Sequence, residues 1–266
     1  MNILIIGGGN MGMTYAQSFL RSRIVTPDKL MILCRTYEKA NQLSQHHEGR
    51  FFSDPRHCVA EADLVILAVK PQDAGRLFAD IREWTDPSQV FLSIMAGIRL
   101  DTIAAALEVT KIIRAMPNLP AQIGAGVTAF TSTDPVTRIE LVMVQNLLNT
   151  TGKTLYVERE DMIDAATAIS GSGPAYVYYF MHAMIEAARQ MGFSDSEAEL
   201  LVGQTFTGAV GLYNHSDLSC QAWIGKVASK GGTTEAALQV FREAALHEDI
   251  VSGARAALLR ARELGQ

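Results

Sequence analysis

The segment Asn2 to Ile6, apolar from Ile3 onward, runs without interruption into Gly7-Gly8-Gly9-Asn10-Met11-Gly12, and Met13 to Arg21 then has helical spacing. Unbroken apolar runs bounded by turn residues read as strands covered on both faces, the habit of parallel sheets. The same theme returns at Leu30 to Cys34, Leu64 to Val69 and Gln89 to Met95, Thr110 to Ala115 is another strand, and helical spacing covers Asp73 to Trp84 and Leu100 to Leu107. Gly126 to Thr131 and Lys153 to Val157 are two further strands flanking a helix over Pro135 to Asn149. Past Val157 no strand pattern follows. The pattern predicts an α/β domain over residues 1–158 and an all-α domain over residues 159–266.

The helical half is organised around Asp161 to Met191. Ala, Met, Ile, Tyr and Phe occur on nearly every face of it, which predicts a helix enclosed by protein all round. Ser170-Gly171-Ser172-Gly173-Pro174 interrupts this spine. Two readings stand: a kink where another element packs on glycine, or a wall facing a ligand. Further on, Ser194 caps a helix reaching Tyr213, with Glu197 placed for a capping box, and Gly203, Gly208 and Gly211 predict close approach to the spine or to a partner chain. Val227 to Leu238 is a glycine turn opening into another helix. It reads equally as an anion site or as a helix start capped by Thr233 or Thr234.

Composition narrows the function. Net charge is -5 with scattered Lys and Arg, so no basic stripe marks a nucleic-acid surface. Cys34, Cys58 and Cys220 lack the spacing of a disulfide framework or a zinc site, which fits a reducing compartment. No run reaches the ~20 apolar residues of a membrane span, and the run at Ile3 to Ile6 is too short for a signal peptide. The expectation is a cytoplasmic protein without metal.

Gly7, Gly9 and Gly12 match the Gly-x-Gly-x-x-Gly spacing between a strand and a helix, where a tight turn and a helix N-terminus receive a pyrophosphate. A Rossmann-type domain follows. At the end of the second strand, where NAD-binding sheets carry an acid, stand Arg35 and Thr36, suited to the 2'-phosphate of NADP, although Glu38 follows one turn later. Lys70, after the Leu64 to Val69 strand, is placed to approach the cofactor. Ala96-Gly97 closes the next strand, and Asn118 lies in a loop made rigid by Pro117 and Pro120.

IIGGGNMG at 5–12, LAVKPQ at 67–72, MAGI at 95–98, IIRAMPNLP at 112–120, GSGPAYV at 171–177 and GGTTEAAL at 231–238 together resemble the pyrroline-5-carboxylate reductase family over the whole chain. The resemblance implies hydride transfer from NADPH, with NAD(H) the weaker cofactor, to the C=N carbon of 1-pyrroline-5-carboxylate, giving L-proline. By matching position, the substrate carboxylate falls on Ser229, Gly231, Gly232 and Thr233, while Thr234 stands beside the ring nitrogen as the catalytic hydroxyl. Glu160 and Thr167 match positions near the substrate. Gly7, Gly9, Asn10, Met11, Gly12, Arg35, Thr36, Ala68, Val69, Lys70, Ala96, Gly97 and Asn118 form the implied cofactor set. The resemblance also implies at least a homodimer. Lys226 and Lys230 depart from the family's usual Asn and Pro. A β-hydroxyacid dehydrogenase would carry a lysine just after the glycine run, where Pro174 to Tyr179 has none; a non-catalytic NADP sensor would not need the second glycine turn. None of the six histidines is required, and His182 reads as a packed core residue.

Overall fold

The computed structural model describes residues 1–264. It forms two compact units: Met1–Ser172 together with the stretch starting at Ala257, and Gly173–Ala256.

The first unit holds, among the described residues, one eight-stranded sheet. Its strands are β1 (Ile3–Ile6), β2 (Leu30–Leu33), β3 (Arg50–Phe52), β4 (Leu64–Leu67), β5 (Val90–Ser93), β6 (Ile112–Met116), β7 (Gly126–Ser132) and β8 (Gly152–Tyr156), in the order β3-β2-β1-β4-β5-β6-β7-β8. The first six run parallel, β7 is antiparallel to β6, and β8 is parallel to β7. Every residue of β1, β2, β4 and β5 is buried, as their unbroken apolar runs require. The pleat sends Ile3 and Ile5 into one core and Leu4 and Ile6 into the other. On the first face they meet α1 (Asn10–Arg21), α2 (Tyr37–Ser44) and α5 (Arg138–Asn149). On the second they meet α3 (Ala74–Ile81) and α4 (Leu100–Leu107).

Several boundaries differ from the sequence reading. Cys34 lies beyond β2. The helix expected over Asp73 to Trp84 is α3 with a 3-10 turn on each side. α5 starts at Arg138 rather than Pro135 because Thr137 caps it: Glu140 donates its N–H to Thr137 Oγ1 (3.3 Å), and Thr137 donates its own to Glu140 Oε2 (2.8 Å). α2 and β3 escaped the pattern, β3 because three residues are too few to show a period.

The spine is α6 (Asp161–Ala166), a π-helical turn over Thr167–Gly171, and α7 (Gly173–Gln190). Ser172 donates its N–H to Thr167 O at 2.9 Å, closing the wide turn. A Cβ on Gly171 would stand 2.7 Å from Met116 Cε, so the glycine lets the wide turn rest on the end of β6. Pro174 falls in the first turn of α7, where a missing N–H costs nothing.

The second unit contains α7, α8 (Asp195–Asn214), α9 (Cys220–Val227), α10 (Thr233–Glu243) and the start of α11 (Leu246–Glu263). Ser194 donates from its N–H (2.9 Å) and Oγ (2.6 Å) to Glu197. Here an expectation fails within one chain: no residue of α7, α9 or α10 is buried, and Tyr179 is 77% exposed. A few helices have too little surface to enclose one another. Cβ atoms at Gly203, Gly208 and Gly211 would meet nothing within 4 Å, so the expected close packing there is not made inside the chain. His182, expected in a core, is exposed 3.8 Å from Glu186.

Candidate active site

The carboxyl ends of β1, β2 and β4 open on a cleft of about 600 Å³, lined by Gly7, Gly8, Gly9, Arg35, Lys39, Ala68, Val69, Lys70, Asp73 and Arg76 among others. The glycines divide the work. Gly7 has φ +123, and a Cβ there would lie 2.6 Å from Ala68 O; a Cβ on Gly12 would lie 2.0 Å from Gly7 O. Both keep β1, β4 and α1 close. Gly9 is different: it is the N-cap of α1, and a Cβ there would meet nothing within 4 Å, so open space lies over the helix N-terminus. That opening beside unpaired helix amides suits a pyrophosphate.

Electrostatics favour an anion at the β2 end of the cleft. Arg35 and Lys39 stand there, Lys39 bonded to a neutral partner, Gln42 Oε1, at 3.3 Å. Arg35 is ion-paired with Asp73. Thr36 Oγ1 accepts from Lys39 N at 3.2 Å and so caps α2. Cys34 lines the same end, its thiol pushed up by burial.

Of the predicted cofactor set, Gly7, Gly9, Arg35, Ala68, Val69 and Lys70 come together on this cleft. Asn10 and Met11 start α1 beside it. Ala96, Gly97 and Asn118 do not line it. A Cβ on Gly97, at φ +80, would press 2.8 Å from the Leu264 carbonyl carbon, while Asn118 Oδ1 accepts from Val127 N at 2.9 Å and pins its own loop. Lys39 and Arg76 were overlooked in the sequence, although Lys39 stands one helical turn after Arg35.

The second glycine turn opens α10, and the amides of both its glycines are engaged inside the chain. Gly231 has φ +73, a conformation that favours glycine, and Gly232 is the N-cap of α10 and donates its N–H to Ser229 O at 2.9 Å. Gly231 N–H donates to Glu235 Oε2 at 2.5 Å. Thr233 and Thr234 are the first two helical residues, so their N–H groups have no partner inside the helix. Lys226 sits 5.3 Å over the Trp223 ring. Lys230 is exposed.

Glu160 is committed to an ion cluster. Its Oε1 accepts from Arg114 Nη1 (2.9 Å) and Leu100 N (2.8 Å), and its Oε2 lies 3.2 Å from Arg99 Nη2. Arg114, 1% exposed in the middle of the sheet, also donates to Asp164 Oδ1 at 2.5 Å. Thr167 Oγ1 donates to Ile163 O at 2.8 Å within the spine. The cluster fastens the start of α6 to β6 and to the loop before α4. The sequence hid it, because Arg114 interrupts an otherwise apolar strand and reads there as an accident.

A parallel sheet in this order, with an open glycine turn at its carboxyl edge and a helical unit following, defines a dinucleotide-binding enzyme of the Rossmann type. Residues 2–97 match the family model described as NADP oxidoreductase coenzyme F420-dependent, and residues 160–264 match the one described as pyrroline-5-carboxylate reductase dimerisation. Pyrroline-5-carboxylate reductase 2 of Bacillus subtilis is 32% identical over 92% of this chain and 88% of its own. The solved pyrroline-5-carboxylate reductase of Coxiella burnetii is 31% identical, with TM-score 0.90 over 100% of this chain and 98% of that one. A Plasmodium falciparum pyrroline carboxylate reductase with NADP bound is 25% identical, also with TM-score 0.90, over 100% of this chain and 98% of that one. The chain belongs to the pyrroline-5-carboxylate reductase family. Among its described residues, no helix is long and apolar enough to cross a membrane.

Proposed function

We propose that this protein reduces 1-pyrroline-5-carboxylate to L-proline with NADPH, the last step of proline biosynthesis. The observation that carries the reading is the presence in one chain of two separate places suited to anions: the open turn at Gly9 with Arg35 at the end of β2, and the start of α10, where the Thr233 and Thr234 amides have no partner inside the helix. The first suits a dinucleotide with a 2'-phosphate, the second a small carboxylate. When bound, NADPH supplies the hydride that adds to the C=N carbon; NADH serves more weakly.

Gly7, Gly9, Asn10, Met11 and Gly12 hold the pyrophosphate end, Arg35 and Thr36 the 2'-phosphate, and Ala68, Val69 and Lys70 the neighbouring ribose and phosphates. Ala96, Gly97 and Asn118, which lie outside the cleft, join the cofactor set by family resemblance alone. Ser229, Gly231, Gly232 and Thr233 take the substrate carboxylate, and the Thr234 hydroxyl bonds the ring nitrogen. A protonated imine already accepts hydride readily, so orientation by these groups contributes more than a tuned acid. Glu160 and Thr167 act near the substrate by fixing the spine: the Glu160 oxygens are held by Arg114, Arg99 and the Leu100 amide, and the Thr167 hydroxyl by its own helix.

Residues 1–158 serve as the cofactor part and 159–266 as the substrate and dimerisation part, and the working unit is at least a dimer. Free cysteines at 34, 58 and 220 fit the cytoplasm as its compartment. The test is NADPH consumption with pyrroline-5-carboxylate, followed by absorbance; no turnover sinks the assignment. Thr234→Ala should lower kcat on the order of 10²-fold while the Kd for NADPH stays within about twofold. An unchanged kcat would remove Thr234 from the mechanism.

A further inference from the structure

The cofactor cleft contains a carboxylate of its own. Asp73 lies in the turn after β4, 38 residues from Arg35, yet the two side chains form an ion pair inside the cleft where the 2'-phosphate would lie. Asp73 is the N-cap of α3, where a short acid ordinarily accepts from the first amides of its own helix, but its side chain makes no capping bond. It is turned to Arg35 instead. Two other cations of the cleft are less engaged: Lys39 bonds the neutral Gln42 amide, and Arg76 has Asp80 at 3.8 Å one helical turn away.

We infer that Asp73 is an internal occupant of the 2'-phosphate subsite, a carboxylate that NADPH must displace from Arg35 and NADH need not, so that Asp73 limits the preference for NADPH. The inference rests on the reading of Arg35 as the 2'-phosphate ligand. A phosphate monoester carries about -1.5 to -2 charges and three acceptor oxygens, so it takes the guanidinium from a single carboxylate. Asp73 then remains beside it as an unpaired like charge. The neutral 2'-hydroxyl of NADH makes no claim on Arg35 and leaves the pair intact. Arg35 is 68% exposed, so solvent and salt screen the competition. The effect is a several-fold trim of selectivity rather than a switch.

Fluorescence titration of the whole protein with NADPH and with NADH, for the wild type, Asp73→Asn, Arg35→Ala and the double variant, tests this. Asn is as good an N-cap as Asp, so α3 is kept; Asp73→Ser provides a second capping residue without charge. The ratio of the NADH to the NADPH Kd should rise about fivefold in Asp73→Asn and Asp73→Ser at low salt, and the gain should shrink in high salt and in the Arg35→Ala background. An unchanged ratio overturns the inference. So does a lower ratio, which would make Asp73 a support that holds Arg35 in place for the phosphate. The underlying reading fails separately: if Arg35→Ala weakens both cofactors equally, Arg35 is not the 2'-phosphate ligand. If Arg35→Ala weakens NADPH alone while Asp73→Asn changes nothing, that reading stands and the role of Asp73 falls.

Discussion

The sheet unit and the helical unit solve the problem of apolar surface in opposite ways. Around β1, β2, β4 and β5 every strand residue is buried inside one chain, and the two faces of the sheet feed two closed cores. In Gly173–Ala256 the apolar side chains are as plentiful, yet Tyr178, Tyr179, Met191, Leu200 and Val227 stand exposed, and no residue of α7, α9 or α10 is buried. An apolar surface of this kind marks association rather than solvation, in agreement with the dimerisation model matched by residues 160–264. The difference teaches that one unit specifies its fold by itself, while the other specifies an interface.

Three substitutions bear on that contrast. The largest effect is expected at Arg114. Arg114→Met leaves Asp164 and Glu160 without their shared cation in a nearly dry site, and denaturant unfolding should show a loss of about 3–5 kcal/mol. A loss below about 1 kcal/mol would mean that the hydrophobic layers alone hold the sheet unit. Next is the helical surface. Tyr179→Asp should leave the sheet unit folded but raise the dimer dissociation constant roughly 30-fold, as read by sedimentation at falling concentration. An unchanged constant would place the interface on another face of the second unit.

The smallest effect concerns Glu140, a polar tie of the sheet unit. Burial raises its carboxyl pKa, but Lys111 at 2.7 Å and the Thr137 cap outweigh this and leave it lowered. A carboxylate with a lowered folded pKa adds stability that is complete above its ordinary range near pH 4.3 and is lost as pH falls through the lowered value. Glu140→Gln should therefore cost about 1 kcal/mol at pH 7, with the gap to the wild type closing in acid. A gap that stays constant with pH would assign the loss to altered packing.

Much of this was legible in the chain. Continuous apolar runs located the central strands, since a strand covered on both faces has no reason to alternate, and the glycine spacing located the turn over α1. The apolar surround of the spine predicts a cover that α7 does not find within one chain, because periodicity does not say whose atoms would do the covering. The break is a π-helical turn whose Gly171 leaves room for Met116, a neighbour far away in sequence. The pairing of Arg35 with Asp73 was out of reach for a related reason. Arg35 reads as a phosphate ligand, but Asp73 looks like an ordinary helix-start residue until the parallel crossover brings the ends of β2 and β4 to one edge.

The single reversed strand has a consequence best stated as parity. Six parallel strands all finish at the edge that carries the cleft, so a chain extending that series would finish there again. Because β7 is antiparallel to β6 and β8 follows β7, the chain instead runs β8 toward the opposite edge, ending it at Tyr156, level with Phe130 and Ala115. α6 then climbs back past Arg114 in the middle of β6 to reach Met116 at its carboxyl end, against which Gly171 rests. One odd step in strand polarity thus returns the backbone to the ligand side when it leaves the sheet unit at Ser172. With β7 parallel, the same spine would have carried it away.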